Sequence, residues 1–324
     1  MLFDMSLDRL REYRPEPEEP ADFDAFWRKT LEDAARHPLD ARFVAHDAGL
    51  ATVDVYDVTF NGWGGQPVKA WLLLPRGRTG PLPAVVQYIG YNGGRGIPYS
   101  WLTWSALGYA HLVMDNRGQG GGGKNTADTP DVAPEGHGSS SPGFLTRGIE
   151  DPHRHYYRRL ITDAVRAVDA VRAHEAVDAA RVAVLGGSQG GGLALAVSGL
   201  REDVAATIAD VPFLCHYRRA SQITDNGPYA EIARFLSGHR FGVESAMETL
   251  SYFDGVNFAA RATSPGWFSV GLMDKICPSS TVFAAYHRYA GPASIEVFPY
   301  NGHEGGAEYD LPRKIGALRG VFGG

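Results

Sequence analysis

Cysteine is scarce in this chain of 324 residues, which contains only Cys215 and Cys277. Two cysteines cannot build the disulfide framework of a small secreted domain. We therefore expect two reduced thiols, with a single bridge as the alternative if the fold brings them together. The first eight residues, MLFDMSLD, also lack the apolar segment of a secretion signal. The prediction that follows is a cytoplasmic location.

The chain also has fewer positive than negative residues and lacks long apolar runs. Lys and Arg number 31 against 37 Asp and Glu, and the formal net charge is -6 at pH 7. Because a nucleic-acid-binding surface needs clustered positive charge, we expect no nucleic-acid partner. No apolar run approaches the roughly 20 residues of a membrane-spanning helix, so we expect no membrane partner either.

Short apolar runs alternate with helical periodicities from residue 84 onward. The strand-like runs are 84–89, 111–114, 182–185, 205–211, 267–272 and 295–298, and the helical patterns are 101–107, 157–171 and 193–197. Two earlier runs, 52–60 and 68–74, are joined by a glycine-rich loop and predict a hairpin. The alternation predicts an α/β fold with a mostly parallel sheet and helices on both faces.

The chain is interpreted as a single domain, 1–324, that begins with an N-terminal extension over residues 1–48. Within the extension, apolar residues recur at helical spacing after Asp22, which is an expected N-cap. This pattern predicts an amphipathic helix over 22–36.

A long interval, 212–266, separates two of the predicted strands. It exceeds the length of an ordinary connection and has helical patterns at 229–236 and 244–252. We expect a helical insertion that serves as a lid or an oligomer interface. The alternative is a pair of ordinary packing helices.

A serine motif stands between a predicted strand and a predicted helix. Residues 186–190 are Gly-Gly-Ser-Gln-Gly and match Gly-x-Ser-x-Gly, which is a weak pattern by itself. Here it ends one strand and opens a helix, as a nucleophile elbow requires, and its glycines permit the close approaches of that turn. Ser188 is therefore the candidate nucleophile. The alternative is a glycine-rich turn that only packs helix on strand.

A serine nucleophile needs a histidine base and an acid that orients the base. In the fold that has a nucleophile elbow, these residues follow one another in the order serine, acid, histidine. The histidines after Ser188 are His216, His239, His287 and His303. Of these, His303 lies in a loop directly after the last predicted strand and is the candidate base.

The candidate acid is Asp274, which directly follows the strand 267–272 and should lie beside His303. Asp254 and Asp210 are competing candidates.

Acyl transfer also needs two N–H donors for the oxyanion. The backbone N–H of Gln189 supplies one in this interpretation. Tyr91 is the best candidate for the second, because it lies in a glycine-rich loop after the strand 84–89. The alternative for this loop is a glycine turn alone.

These segments together resemble the cephalosporin-C deacetylase / acetyl xylan esterase family, which is carbohydrate esterase family seven of the α/β-hydrolase superfamily. The family signature is Arg-Gly-Gln, then Gly-x-Ser-Gln-Gly, then His-Glu, and it occurs here at 117–119, 186–190 and 303–304. The resemblance spans nearly the whole chain. It implies an α/β-hydrolase fold, with Ser188, Asp274 and His303 as the triad and the N–H groups of Tyr91 and Gln189 as the oxyanion hole. Arg117 and Gln119 would give mainly structural support.

The resemblance also implies an activity. Such enzymes remove acetyl groups from small acetylated sugars, xylo-oligosaccharides and cephalosporin C, through an acetyl-enzyme intermediate. The implied protein uses no metal or other cofactor, is intracellular, and forms a homohexamer. One departure is the glycine run Gly120–Gly123, where family members carry serine and an aromatic residue. If this run borders the acyl pocket, a wider pocket would weaken the preference for acetyl.

Other functions are weighed against this interpretation. Residues 118–123 match Gly-x-Gly-x-x-Gly and raise the alternative of a dinucleotide-binding oxidoreductase, but no amphipathic helix pattern follows them. His153 and His155 raise the alternative of a metal site, without nearby carboxylates or thiols at ligand spacing. A general carboxylesterase of the same fold and a non-catalytic binding member remain as further alternatives.

Overall fold

The computed structural model describes residues 2–121, 125–131 and 143–323. Its strands are β1 (Arg42–His46), β2 (Val53–Asn61), β3 (Pro67–Pro75), β4 (Leu82–Tyr88), β5 (Ala110–Met114), β6 (Val177–Gly187), β7 (Ala206–Asp210), β8 (Gly266–Gly271) and β9 (Ala293–Phe298). Its helices are α1 (Leu7–Glu12), α2 (Phe23–Ala35), α3 (Leu102–Ala106), α4 (Tyr156–Arg172), α5 (Gln189–Leu200), α6 (Tyr217–Ile223), α7 (Ala230–Gly238), α8 (Val243–Ser251), α9 (Gly255–Ala259), α10 (Ser279–Arg288) and α11 (Leu311–Phe322).

Within the described residues these strands form one sheet, in the order β1-β2-β3-β5-β4-β6-β7-β8-β9. The pairs from β5 through β9 are all parallel, whereas β1, β2, β3 and β5 pair antiparallel. The mostly parallel sheet predicted from the sequence is therefore confirmed. Parallel strands place their carboxyl ends at the same edge, which is where loops bring ligand-binding groups together.

The sheet is buried on both faces. Val86 and Val184 lie in the core cluster that includes the apolar faces of α4 and α5. Their neighbours in sequence, Val85 and Ala183, point the other way and pack with residues of α3 and α11. This alternation follows from the two-residue period of a strand, and it explains why the central strands are apolar at successive positions.

The predicted helix after Asp22 forms as α2, but the expected cap is wrong. Asp22 occupies the N-cap position, yet its side chain makes no capping hydrogen bond. Its carboxylate instead accepts a hydrogen bond of 2.5 Å from the hydroxyl of Tyr252. Asp22 therefore ties the N-terminal helix to the segment between β7 and β8.

That segment contains four helices among the described residues, α6 to α9. Trp27 on α2 donates from its indole N–H to the carbonyl of Tyr252, and Phe23 contacts Phe258 edge to face. The N-terminal extension thus packs against this segment. No helix among the residues that the structure describes is long and apolar enough to cross a membrane.

Candidate active site

Ser188 lies at a sharp turn between β6 and α5. Its backbone has φ 57° and ψ -123°, a conformation that residues other than glycine seldom adopt. A Cβ on Gly186 would lie 2.3 Å from the carbonyl carbon of Gly190, and one on Gly190 would lie 2.2 Å from the carbonyl oxygen of Tyr88. Glycine is therefore required at both positions, and the turn has the geometry of a nucleophile elbow.

Asp274 and His303 meet at the carboxyl end of the sheet. Nδ1 of His303 lies 2.8 Å from Oδ2 of Asp274, and the Asp274 side chain is fully buried. The other carboxylate oxygen accepts the backbone N–H groups of Ile276 and Cys277 at 2.8 and 2.9 Å. These bonds fix the carboxylate so that it can hold the imidazole of His303 in one tautomer and orientation.

Ser188 and His303 line one cavity of about 310 Å³, which we call the serine cavity. His303 is 27% exposed at its side chain, so the imidazole is accessible from this cavity. The carboxylate of Glu304 accepts hydrogen bonds from the side-chain amide of Asn301 and the N–H of Gly302. Glu304 therefore holds the loop that carries His303, which is a role that the sequence did not suggest.

The competing acids serve other purposes. Asp210 accepts a hydrogen bond of 2.9 Å from the hydroxyl of Ser269 and pairs with Lys314. Asp254 caps α9 through the N–H of Val256, and burial raises the pKa of its carboxyl group to about 6. Neither of these two carboxylates forms a hydrogen bond or ion pair with His303 in the described part of the chain.

The remaining histidines after Ser188 are also engaged elsewhere. His216 lies 2.9 Å from the hydroxyl of Tyr13, His239 stacks on Phe235, and His287 lies 2.8 Å from the carbonyl oxygen of Tyr13. Burial lowers the pKa of His216 to about 4, so this imidazole is neutral at pH 7. The structure therefore brings together the serine, acid and histidine that the sequence selected.

A glutamine pair joins the two candidate oxyanion segments. The side-chain oxygen of Gln119 accepts the N–H of Asn92 at 2.7 Å, and its side-chain nitrogen donates to Oε1 of Gln189 at 2.8 Å. Gln189 in turn donates to the carbonyl of Ile89 at 3.1 Å. Gln119 therefore sets the distance between the loop of Tyr91 and the start of α5, which is a more specific role than general support.

The two candidate donors are free for a ligand. No residue in the described part of the chain accepts a hydrogen bond from the backbone N–H of Tyr91 or of Gln189. The Tyr91 hydroxyl donates to Glu231 on α7 at 2.6 Å and accepts the N–H of Phe144 at 2.7 Å. Burial raises the pKa of Glu231. Sequence reasoning missed Glu231, because 140 residues separate it from Tyr91.

Arg117 is fully buried beneath this network. Its guanidinium forms a bidentate ion pair with the carboxylate of Asp163 on α4, with N···O distances of 2.5 and 2.7 Å. It also donates to the side-chain oxygen of Gln66 at 2.7 Å. The hydroxyl of Tyr156 donates to its backbone carbonyl at 2.6 Å. Arg117 thereby ties the loop after β5 to α4 and to the hairpin between β2 and β3, which fits the supporting role expected of it.

Asp274, Cys277 and His303 place potential metal-ligating atoms within 4.8 Å of one another. Both carboxylate oxygens of Asp274 are already occupied by N–H donors, and burial raises the pKa of the Cys277 thiol well above its usual value. A protonated thiol is a poor metal ligand, so the donor set suits a hydrogen-bonded triad better than a metal. Cys215 and Cys277 are both free, as predicted, and both are buried.

The metal-site and dinucleotide-binding alternatives raised by the sequence find little support in the described residues. His155 is buried; one ring nitrogen lies 3.0 Å from the carbonyl oxygen of Leu145 and the other accepts the N–H of Tyr157, which leaves neither for a metal. Residues 125–131, which follow the Gly-x-Gly-x-x-Gly match at 118–123, contain no helix. The predicted effect of the run Gly120–Gly123 on the acyl pocket involves Gly122 and Gly123, which lie outside the described residues.

Comparisons with known proteins agree with this site. The profile of the family "Acetyl xylan esterase (AXE1)" matches residues 1–317. A solved acetyl xylan esterase from Paenibacillus sp. R4 is 41% identical, with 97% of this chain and 99% of that chain covered and a TM-score of 0.90. Acetyl xylan esterase 1 from Thermoanaerobacterium sp. JW/SL YS485 is 32% identical, with 98% and 99% covered and a TM-score of 0.89.

A curated relative, acetyl esterase Axe7A of Xylanibacter ruminicola, is 27% identical over 306 residues, which cover 90% of this chain. The match spans 65% of the length of that relative. Solved α/β hydrolases that are 13% to 19% identical share the fold alone, with TM-scores between 0.57 and 0.61. The predicted α/β-hydrolase fold is confirmed, and the chain belongs to the acetyl xylan esterase family of carboxylic ester hydrolases.

Proposed function

We propose that this protein is a serine esterase that removes acetyl groups from small acetylated carbohydrates, among them xylo-oligosaccharides, and from cephalosporin C. One observation carries the proposal: His303 lies 2.8 Å from the buried carboxylate of Asp274 and shares a cavity with Ser188 at the elbow. Family membership and the two closely similar acetyl xylan esterase structures support the substrate class.

The first half of the reaction forms an acetyl-enzyme. His303 accepts the proton of the Ser188 hydroxyl through Nε2 while Asp274 holds Nδ1, and the serine oxygen bonds to the acetyl carbon. The negative carbonyl oxygen accepts hydrogen bonds from the N–H groups of Tyr91 and Gln189. His303 then gives its proton to the leaving sugar oxygen, and the bond between this oxygen and the acetyl carbon breaks.

Water completes the reaction. His303 takes one proton from water as the water oxygen bonds to the acetyl carbon, and the oxyanion is held by the same two N–H groups. The bond to Ser188 then breaks, acetate leaves, and the proton on His303 returns to the serine oxygen. The hydrogen bonds of Gln119 keep both donor segments in place throughout. The proton transfers of the proposed steps all run through His303, so the proposed mechanism uses no metal or cofactor.

We further infer that the protein acts in the cytoplasm as a homo-oligomer, a hexamer by analogy with the family resemblance. Its surface is consistent with subunit contacts, because Phe241 is fully exposed, and Tyr309 and Tyr300 are 93% and 85% exposed. Phe241 lies in the 212–266 segment, which would supply part of the interface. Sedimentation or gel-filtration sizing tests this assembly, and a species of 35.1 kDa would contradict it.

Hydrolysis of p-nitrophenyl acetate, butyrate and octanoate, with release of acetate from acetylated xylose and cephalosporin C, tests the activity. A strong preference for acetate that disappears in Ser188→Ala is expected. Equal rates on long chains would favour a general carboxylesterase, for which the glycine run Gly120–Gly123 offers a reason. Acetate release from the sugar but not from cephalosporin C would restrict the proposal to carbohydrates.

A further inference from the structure

Two cavities adjoin at the carboxyl edge of the sheet. The serine cavity has a volume of about 310 Å³, and a second cavity of about 300 Å³, here called the α3 cavity, lies between α3 and α11. Four residues line both cavities, namely Gly187, Asp210, Ala307 and Lys314. Because the two cavities share these lining residues, they adjoin each other beside Ser188, and the two together are called the cleft.

The chemistry of the proposed reaction indicates which part of the substrate enters this cleft. The leaving sugar oxygen receives its proton from His303, so the sugar must lie on the His303 side of Ser188. His303 and Glu304 line the serine cavity. Tyr91 and Gln189, which would hold the carbonyl oxygen of the acetyl group, do not belong to this lining. The serine cavity therefore suits the acetylated sugar, and a longer chain would continue into the α3 cavity.

The walls of the α3 cavity combine polar groups with indole surfaces. Ser100 and Thr103 are exposed, and neither hydroxyl forms a hydrogen bond with any residue of the described ranges. The ion pair of Lys314 with Asp210 adds a donor and an acceptor at the junction, and Trp101 and Trp104 also line the cavity. A pyranose presents hydroxyl groups at its rim and apolar C–H groups on its faces, so this mixture complements it.

The pair of His111 and Gln87 also lines the α3 cavity, with His111 buried and Gln87 half-buried. Burial lowers the pKa of His111 to about 4, so the ring is neutral and carries one N–H. Nδ1 lies 2.8 Å from the carbonyl oxygen of Trp101, which can only accept, so the N–H is on Nδ1. The side-chain oxygen of Gln87 lies 2.9 Å from Nε2, which accepts a hydrogen bond from Gln87 only when the amide is turned so that its nitrogen faces the ring. In that orientation the amide oxygen points away from the ring and can accept a hydrogen bond from a sugar hydroxyl.

We propose that the α3 cavity is a subsite for the neighbouring xylose unit of an acetylated xylo-oligosaccharide. This proposal rests on the proposed function, since it names the part of the molecule that binds the rest of the sugar chain. The enzyme then prefers an acetylated xylotriose over acetylated xylose. The preference is roughly three- to tenfold in kcat/KM, as expected from one or two net hydrogen bonds.

The experiment compares kcat/KM for acetylated xylotriose, acetylated xylose and p-nitrophenyl acetate in the full-length protein. Thr103→Tyr places a bulky side chain in the α3 cavity from an exposed position. Ala106→Tyr is the matched control, because Ala106 lies on the same helix, is exposed, and does not line the cavity. In Thr103→Tyr the advantage of xylotriose should disappear while activity on p-nitrophenyl acetate stays unchanged. In Ala106→Tyr the advantage should persist.

The outcomes separate this inference from the proposed function. Hydrolysis of both sugars with equal kcat/KM would overturn the subsite and leave the deacetylase proposal intact. A preference for xylotriose that survives in Thr103→Tyr would place the subsite elsewhere and also overturn the inference. Failure to release acetate from either sugar, with p-nitrophenyl acetate still hydrolysed, would instead contradict the proposed carbohydrate substrate.

Discussion

Replacing Arg117 by leucine should destabilise the fold strongly and leave the chemistry of the folded enzyme largely intact. Arg117 and Asp163 are both fully buried, and two hydrogen bonds of 2.5 and 2.7 Å join them. Removing the guanidinium leaves the Asp163 carboxylate buried with a hydrogen bond from the N–H of Trp63 at 2.8 Å. An uncompensated buried charge of this kind costs about 3–5 kcal/mol.

The double variant Arg117→Leu/Asp163→Leu should be less destabilised than the single variant. It removes both charges and leaves the N–H of Trp63 without its acceptor, which costs about 1–3 kcal/mol. The double variant should therefore be roughly 2 kcal/mol more stable than Arg117→Leu alone, so the two substitutions are coupled and their effects are not additive. The carboxylate and the guanidinium thus stabilise the fold mainly by neutralising each other.

Urea unfolding of the parent, both single variants and the double variant measures this coupling, at one protein concentration because assembly shifts apparent stability. Activity per folded molecule at low temperature provides the second readout. Additive effects of the two substitutions would refute the reasoning. An Arg117→Leu protein as stable as the parent but inactive would show that Arg117 acts on the reaction itself.

Three further predictions address the site and the pH dependence of the fold. Asp274→Asn should lower kcat by about 10⁴-fold with an unchanged circular dichroism spectrum, because the wrong tautomer of His303 is held, and near-normal kcat would contradict the triad. Gln119→Leu should lower kcat by up to about 10²–10³-fold with little change in KM, as for the loss of one oxyanion donor. An equal change in Gln66→Leu, which removes the oxygen that accepts from Arg117, would argue against this role. The unfolding free energy should fall as the pH drops from about 6.5 to 4, because burial holds the pKa values of His111, His155 and His216 at about 4 and the unfolded chain binds protons first. Asp254, with a pKa raised to about 6, opposes part of this loss, and an unfolding midpoint in urea that is the same at pH 7 and pH 5 would contradict the prediction.

The sequence predicted the candidate triad because each of its members is marked by local signals. Ser188 stands between a strand and a helix with glycines around it, and these glycines prove to be sterically required. Asp274 and His303 each follow a strand, and parallel strands bring their carboxyl ends together. Local pattern and fold topology were therefore sufficient to place these three residues at one site.

The supporting contacts could not be predicted in the same way. The partners Arg117 with Asp163 and Tyr91 with Glu231 are 46 and 140 residues apart. No periodicity or motif connects such pairs, since only the folded arrangement of α4 and α7 brings them within reach. Sequence patterns locate elements well, whereas pairings between buried polar side chains depend on the packing of the elements.

Two of the elements that the sequence did not predict, β1 and α11, were missed for different reasons. β1 lies at the sheet edge and is largely exposed, so it lacks the apolar alternation that marks a strand. α11 does carry a signal, because Leu311, Ile315, Leu318 and Phe322 recur at helical spacing and pack under the sheet. This periodicity is sufficient to predict the helix, which supplies one wall of the cleft beside Ser188 through Lys314.

The most direct test of the account is the position of the acetyl group during turnover. The enzyme is mixed with p-nitrophenyl acetate, quenched in acid before the ester is exhausted, digested, and examined by peptide mass spectrometry. The account predicts one acetyl group on Ser188, and none in Ser188→Ala, which should also lose hydrolysis. Acetylation of Cys277 instead, or near-normal hydrolysis by Ser188→Ala, would contradict the assignment of Ser188 as the nucleophile.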